Sequence, residues 1–499
     1  MEKSGKKYQA CDSCKRRKVR CNGEKSCQQC AHFDIPCVYT PIVRGRPRKG
    51  AATRGSVIQQ CRENPAVTLN STANSSRRRR SHTNAGKNNT LVPAEAIVRK
   101  FDKLEANFFL DLIPEYLTSV FPVNPVIDEA SVRQCVPKLY SDAEATSFLY
   151  AFAAVTINLA HADGSKSPPD IKERVSALLE RSLDHIRPLA FQSEPTLLKI
   201  MRNVFLEICL MGLNKNDLAF FYLREAITML HMLGVGTDDT SLLDISSDKT
   251  KLQRAYWECF IHERFTALID FKPTCLRPLL TLPDPDPDIE PGTERGWNQL
   301  IKTFILVDET FLNYWTGDRS TITCEWIKTK HREFEDDQWH TEVQSLNEMQ
   351  QADLIITRQW LRTLTWQMAL SGLLLSSNPA SEMSLMLPLR LSSQLRQFLS
   401  QMTPHSVGIH GTGVLHKLVE ITTTITDVVI AAPNASYSRK EILDRADDVL
   451  FLKRFLFSFP RIQDEHRELL SQKIKRMMEM YPEVMAFEQQ NYNSPTLNL

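Results

Sequence analysis

The most constraining feature of this 499-residue sequence is a cluster of cysteines near its N-terminus. They form two copies of the unit Cys-x2-Cys-x6-Cys, joined by the residues Asn-Gly-Glu-Lys-Ser. The six cysteines are Cys11, Cys14, Cys21, Cys27, Cys30 and Cys37. Each unit offers three sulfurs, whereas a tetrahedral zinc ion takes four ligands, so two zinc ions on these cysteines require two bridging thiolates. We expect two zinc ions to fold this segment, because it has almost nothing apolar to bury without them.

The redox compartment decides whether clustered cysteines bind metal or form disulfides. The first residues, MEKSGKKYQA, lack the apolar core of a signal peptide. Apolar runs are too short and too interrupted to predict a membrane span. We therefore expect the protein in the cytosol or nucleus, where thiols stay reduced and bind metal. Two alternatives stay open, a four-cysteine zinc site with two spare thiols and a set of three disulfides.

Charge is distributed unevenly along the chain. Residues 1–90 carry 20 Lys and Arg against 5 Asp and Glu, a formal charge of +15. Because the whole chain carries +2, residues 91–499 carry −13. A basic N-terminal part joined to an acidic body predicts that the basic part meets a polyanion while the body has another role.

The two halves of the cysteine cluster also differ in charge. Between Cys14 and Cys21 lie the residues KRRKVR, whereas AHFDIP between Cys30 and Cys37 contains no Lys or Arg. Only the first half is suited to phosphates and base edges. We predict that a helix starting near Asp12 enters the major groove of double-stranded DNA. Since Lys and Arg donate to guanine O6 and N7, a G-rich site is expected.

The cluster resembles the fungal zinc binuclear-cluster DNA-binding domain, which has the same six cysteines and a basic run between the second and third. In that family the first and fourth cysteines bridge the metals, which implies Cys11 and Cys27 here. The resemblance also implies that Lys18, with Arg17 beside it, reads a CGG triplet. Three further cations are expected to touch phosphates, or to be solvated charges that only raise affinity: Lys15, Arg16 and Arg20.

A basic linker follows the cluster. Arg44-Gly45-Arg46-Pro47-Arg48 resembles an AT-hook core, in which Arg44, Arg46 and Arg48 would lie in the minor groove of A·T-rich DNA. The alternative is a basic linker that directs nuclear import. Residues 51–93 are rich in Ser, Thr, Asn, Gly and Arg and predict a disordered tether. The linker has no sustained heptad repeat that would predict a coiled coil. Whether the protein forms a homodimer therefore stays an open question.

From about residue 94 the sequence has helical periodicity. Predicted helices lie near 171–187, 197–213, 217–233, 250–270, 298–316, 346–376, 411–432, 440–458 and 464–480. Strand-like alternation is scarce, so an all-α body is expected. Residues 221–235 and 251–288 resemble the fungal-specific regulatory domain, and residues 352–377 resemble maltose and amylase activators. That resemblance implies a body that restrains activation until a metabolite or protein binds.

We find no signature of catalysis in the body. The segment GIHGTG (408–413) has neither a preceding strand nor a following Lys-Ser/Thr, so it is no phosphate loop. His262-Glu263-Arg264 is read as a structural group on a helix. The tryptophans Trp257, Trp360 and Trp366 are predicted to be core residues, with a ligand pocket as the alternative.

The sequence thus predicts a nuclear, zinc-dependent transcription factor of RNA polymerase II genes. We expect an activator of a metabolic or secondary-metabolite gene cluster. A repressor, or a zinc-held basic module on an interaction scaffold, is the alternative. The expected partners are double-stranded DNA, the transcription machinery and a small-molecule inducer. The predicted domains are a zinc cluster (1–43), a disordered basic linker (44–93), an all-α regulatory domain (94–482) and a disordered tail (483–499).

Overall fold

The computed structural model divides the chain into two compact units, Met1–Val92 and Pro93–Leu499, which are described separately below. Not every residue of either unit is described. The described residues are 10–17, 21–24, 26–32, 36–39, 103–162, 170–187, 194–236, 249–317, 322–335, 337–376, 378, 381, 383–431 and 439–484.

The N-terminal unit contains two short helices, α1 (Asp12–Arg17) and α2 (Gln28–His32). Each begins directly after the first cysteine of its Cys-x2-Cys-x6-Cys unit. In α1 the backbone N–H of Lys15 donates to the carbonyl of Cys11 at 2.8 Å, and in α2 Ala31 donates to Cys27 at 3.0 Å. The repeated spacing therefore produces a repeated local structure.

The regular secondary structure of the second unit is helical, and its described residues contain no β-strand. An isolated bridge joins Ser376 and Ser384, and a 3-10 turn spans Val136–Lys138. The helices are α3 (Ala106–Asp111), α4 (Ile113–Ser119), α5 (Glu129–Cys135), α6 (Ala143–Ala160), α7 (Ile171–Asp184), α8 (Leu197–Gly212), α9 (Asn216–Met232), α10 (Lys249–Asp270), α11 (Pro291–Ile305), α12 (Glu309–Thr316), α13 (Cys324–Glu333), α14 (Asp337–Gln344), α15 (Glu348–Ser371), α16 (Leu387–Leu399), α17 (Pro404–Gly408), α18 (Gly411–Ala431), α19 (Arg439–Phe457) and α20 (Asp464–Met480). The expected all-α body is confirmed.

One predicted helix is wrong in its extent. The sequence predicts a single helix over 298–316, but the structure has α11 and α12 with a break between them. The break has a local cause, because the carboxylate of Asp308 accepts from the backbone N–H of Phe311 at 2.8 Å and so begins a new helix. The following helices were not predicted: α5, α13, α14, α16 and α17.

The core of this unit is apolar, and α6 lies within it. By length and composition α6 would suffice to cross a membrane, but 83% of that stretch is buried inside the protein. The predicted core tryptophans are confirmed, since Trp257, Trp360 and Trp366 are 0%, 1% and 3% exposed. The ring N–H of Trp366 donates to the carbonyl of Ser384 at 2.9 Å, which satisfies its polar atom.

A buried carboxylate fixes the segment that follows α10. Glu263 is fully buried and accepts from the backbone N–H groups of Cys275 and Leu276, each at 2.9 Å. Its Oε1 also accepts from Arg224 of α9 at 2.7 Å. The structural role expected for His262-Glu263-Arg264 therefore fits Glu263, which joins two helices and a loop.

Candidate metal centre

Four of the six cysteine side chains meet in the N-terminal unit. The sulfurs of Cys11, Cys14, Cys27 and Cys30 all lie within 4.8 Å of one another, and all four side chains are buried. The sulfur of Cys11 lies 3.7 Å from Cys27 and 3.5 Å from Cys30. The sulfur of Cys14 lies 3.4 Å from Cys27 and 4.0 Å from Cys30.

The remaining two cysteines occupy equivalent positions in the two halves. The sulfur of Cys21 accepts from the backbone N–H of Cys11 at 3.5 Å, and the sulfur of Cys37 accepts from the backbone N–H of Cys27 at 3.2 Å. Each half thus folds its third cysteine back onto its first. The two halves therefore repeat each other in hydrogen bonding as well as in cysteine spacing.

The sulfur distances suit zinc. Sulfur ligands at about 2.3 Å from a tetrahedral zinc ion stand about 3.8 Å apart, which lies within the range that the four sulfurs span. Burial raises the pKa of Cys11 to about 11, and it also raises the pKa values of Cys14 and Cys30. Thiolates can share this space only when a cation balances them, which is what a bound divalent metal supplies. The donor set therefore fits zinc.

The two outer thiols differ from the buried ones. Burial acts to raise the pKa of Cys21, but hydrogen bonds from the backbone N–H groups of Cys11 and Gly23 outweigh it and lower that pKa to about 6. In the same way, burial is outweighed at Cys37 by the N–H of Cys27, so its pKa is lowered. A lowered pKa favours the thiolate, which is the form that binds metal.

Residues other than the cysteines also tie distant parts of the cluster together, and sequence reasoning missed them. The hydroxyl of Ser13 donates to the carbonyl of Pro36 at 2.7 Å, and the N–H of Asp12 donates to Val38 at 2.8 Å. The hydroxyl of Tyr39 donates to the carbonyl of Glu24 at 2.8 Å. A tyrosine two residues after the last cysteine was the available signal for this contact.

Comparison with known proteins identifies the cluster. Residues 9–46 match the fungal Zn(2)-Cys(6) binuclear cluster domain. The chain therefore carries a fungal Zn(2)-Cys(6) binuclear cluster domain at its N-terminus. This cluster domain binds two zinc ions, and the chain is a DNA-binding transcriptional regulator.

The similarity of this binuclear-cluster protein to known proteins extends beyond the cluster. The chain is 22% identical over 478 residues to the probable sucrose utilization protein SUC1 of Candida albicans, covering 92% of this chain and 87% of the relative. It is 20% identical over 478 residues to the maltose fermentation regulatory protein MAL63 of Saccharomyces cerevisiae, covering 93% of each chain. The fumonisin cluster-specific transcription factor FUM21 of Gibberella moniliformis is 61% identical, but over only 31 residues, which are 6% of this chain and 5% of that protein.

The predicted DNA contacts are only partly placed by the structure. Lys15 lies on α1 and its side chain is exposed, and the backbone of Arg16 and Arg17 continues the same helix. Five predicted contacts lie outside the described residues: Lys18, Arg20, Arg44, Arg46 and Arg48. The DNA-contacting roles of all eight residues stay predictions.

Proposed function

We propose that this binuclear-cluster protein is a nuclear, sequence-specific activator of RNA polymerase II genes and that it reads CGG-type triplets through α1 and the residues after it. The observation that carries the proposal is the match of residues 9–46 to the cluster domain, together with the doubled hydrogen-bond pattern around its cysteines. The basic half supplies α1 with its exposed Lys15, whereas the other half carries no Lys or Arg between Cys30 and Cys37.

The proposed zinc arrangement shares Cys11 and Cys27 between both ions. One ion would then take Cys14 and Cys21 as its remaining ligands, and the other would take Cys30 and Cys37. The short distances from Cys11 to Cys27 and Cys30, and from Cys27 to Cys14, support this sharing. Because the metals cross-link two helices that have little else between them, zinc would hold α1 in the orientation that DNA requires.

The proposed targets are genes of carbohydrate use. Similarity to SUC1 and MAL63 covers about nine-tenths of this chain, so it includes the helical unit. Similarity to FUM21 covers the cluster alone and bears only on how DNA is bound. The long alignments therefore favour genes of sugar utilization over genes of secondary metabolism. The same proposal holds that the protein activates these genes and does not repress them.

Substitution of Lys18 by alanine tests the DNA-reading role. We expect Lys18→Ala to weaken binding by about 1–3 kcal/mol on a duplex with CGG triplets and to have little effect on a scrambled duplex. The measurement is fluorescence anisotropy of labelled duplexes with full-length, zinc-loaded protein. Lys15→Ala is the matched control, and it should weaken both duplexes equally and reduce the slope of log K against log salt by about 1.

An equal loss on both duplexes for Lys18→Ala would make Lys18 a phosphate contact and contradict the proposal. The direction of regulation needs a separate measurement in cells. A reporter under CGG sites should lose expression when the gene is deleted, whereas increased expression would indicate a repressor. Deletion of residues 94–480 should give constitutive or lost output, and unchanged inducibility would refute a regulatory role for the body.

A further inference from the structure

The helical unit contains a cavity of about 140 Å³ that sequence reasoning did not find. Its walls come from α6, α8, α10, α11, α15 and the start of α18. The GIHGTG segment contributes five consecutive residues to it, 409–413, although that segment is no phosphate loop. The lining mixes apolar side chains with carboxylates, histidines, asparagines and a lysine.

One side of the cavity is an ion cluster centred on His262. Its Nδ1 lies 2.6 Å from a carboxylate oxygen of Glu207, and its Nε2 lies 3.0 Å from a carboxylate oxygen of Glu258. Glu258 also accepts from the amide of Asn124 at 2.9 Å and from the ring N–H of Trp297 at 3.3 Å. Burial acts to lower the pKa of His262, but Glu207 and Glu258 together hold it well above its ordinary value.

The cavity lining contains a second cluster, built around Asp353. Its Oδ1 lies 3.0 Å from the ammonium of Lys417 and accepts from the hydroxyl of Thr357 at 3.0 Å. Nδ1 of His410 lies 3.9 Å from Oδ2 of Asp353. Nε2 of the same histidine lies 2.9 Å from the carbonyl oxygen of Met349. Burial acts to raise the pKa of Asp353, but Lys417 and His410 lower it to about 2.

These charges and walls restrict what the cavity can hold. Three carboxylates face two cations, so an anion would meet excess negative charge. A cation would be repelled by His262 and Lys417, which already form ion pairs with the carboxylates. A neutral molecule with several hydroxyl groups suits both clusters, because a hydroxyl donates to carboxylates and accepts from N–H groups. The apolar wall, which includes Phe265, suits the C–H face of a ring.

The volume sets the size of the ligand. A cavity of about 150 Å³ in another protein holds one benzene molecule. The present cavity of about 140 Å³ is partly open to solvent, so it can take one six-membered ring whose hydroxyl groups extend into the opening, but not two rings. We propose that this cavity binds a neutral polyhydroxy compound the size of a single hexose. An effect of this binding on transcription rests on the proposed function. The binding itself can be measured without DNA.

Isothermal titration calorimetry with glucose tests the proposal on the full-length, zinc-loaded protein. We expect saturable binding of glucose, with maltose binding no more tightly because its second ring would lie outside the cavity. Calorimetry is preferred to thermal shifts, since sugars stabilise most proteins by being excluded from their surfaces. Tighter binding of the dication putrescine, tighter binding of maltose, or no binding of glucose would each overturn the proposal.

Two substitutions connect the binding to the cavity. Glu207→Gln keeps the shape of the side chain but removes a charge from the cluster, and we expect about ten-fold or more weaker glucose binding. Ile208→Phe fills the cavity with an apolar ring and should abolish binding. Asp427→Asn is the matched control, because Asp427 pairs with Lys473 in the same unit and does not line the cavity. It should bind glucose like the wild type.

The two proposals fail in distinguishable ways. If Ile208→Phe is folded by circular dichroism and still binds glucose, the cavity is not the site. If the protein binds a CGG duplex but no glucose, the cavity proposal is refuted and the DNA-binding proposal is retained. If it binds glucose at this cavity but no CGG duplex, the DNA-binding proposal is refuted and the cavity proposal is retained.

Discussion

Glu263 provides the most direct test of how the helical unit is held together, through the substitution Glu263→Gln. The carboxylate is fully buried and accepts three hydrogen bonds, from Arg224 at 2.7 Å and from the N–H groups of Cys275 and Leu276 at 2.9 Å. Glutamine has nearly the same shape but only one acceptor oxygen. In its better orientation that oxygen would serve Arg224 and Cys275.

The cost of the substitution can be worked out from these contacts. The amide NH₂ would then face the N–H of Leu276, and an unsatisfied buried donor costs about 1–3 kcal/mol. The two remaining bonds lose the negative charge of their acceptor, which weakens each by about 1 kcal/mol. Relief of the buried charge offsets part of this, since Arg224 is 35% exposed and can be hydrated. We therefore expect Glu263→Gln to lower the free energy of unfolding by about 3 kcal/mol.

Urea unfolding followed by circular dichroism at 222 nm measures this loss. Glu129→Gln is the control, because it removes the same carboxylate from an exposed pair with Arg133 on α5. Such a pair contributes less than about 0.5 kcal/mol, so the control should unfold like the wild type. If Glu263→Gln came within about 0.5 kcal/mol of the wild type, Glu263 would not be what fixes the segment after α10.

Two further predictions concern acid and metal. Burial, with the nearby charges of Arg362 and Arg390, lowers the pKa of His331 to about 3, and neither of its ring nitrogens has a hydrogen-bond partner among the described residues. A lowered histidine pKa means that the unfolded chain takes up a proton that the folded chain refuses, so stability falls as the pH drops below about 6.5. Between pH 7.5 and 5.5 the wild type should lose about 1 kcal/mol more than His331→Leu, as measured by urea midpoints, and equal losses would contradict the assignment. Removal of zinc by a chelator should abolish binding to a CGG duplex while the circular dichroism of the helical unit is retained, whereas duplex binding by zinc-free protein would refute a metal-held cluster.

Much of this protein could be predicted from local sequence pattern. The spacing of six cysteines determines how many metals they can hold, because a short loop brings its ends together whatever the remainder of the chain does. Helices such as α8 and α9 were predicted to within a few residues, since each buries an apolar face that repeats with helical period. The core positions of Trp257 and Trp360 were predicted from their large aromatic side chains on predicted helices.

Helix α13 shows where local pattern fails. Its buried positions include Lys330 and His331, so the apolar periodicity that predicts a helix is missing. Lys330 is tolerated there because its ammonium donates to the carbonyl of Leu306 at 3.0 Å and pairs with Asp308 at 2.8 Å. Those partners lie more than twenty residues away in sequence, and no local pattern could have indicated them.

The cavity was decided by the tertiary structure alone. Glu207, His262 and Lys417 lie on three different helices, and each taken by itself resembles an ordinary charged residue on a helix. Only the packing of those helices brings them to one space and leaves that space unfilled. Metal-ligand spacing is a property of neighbouring residues and can be read from the chain. The shape and charge of an interior cavity are properties of distant residues, and they exist only once the helices have packed.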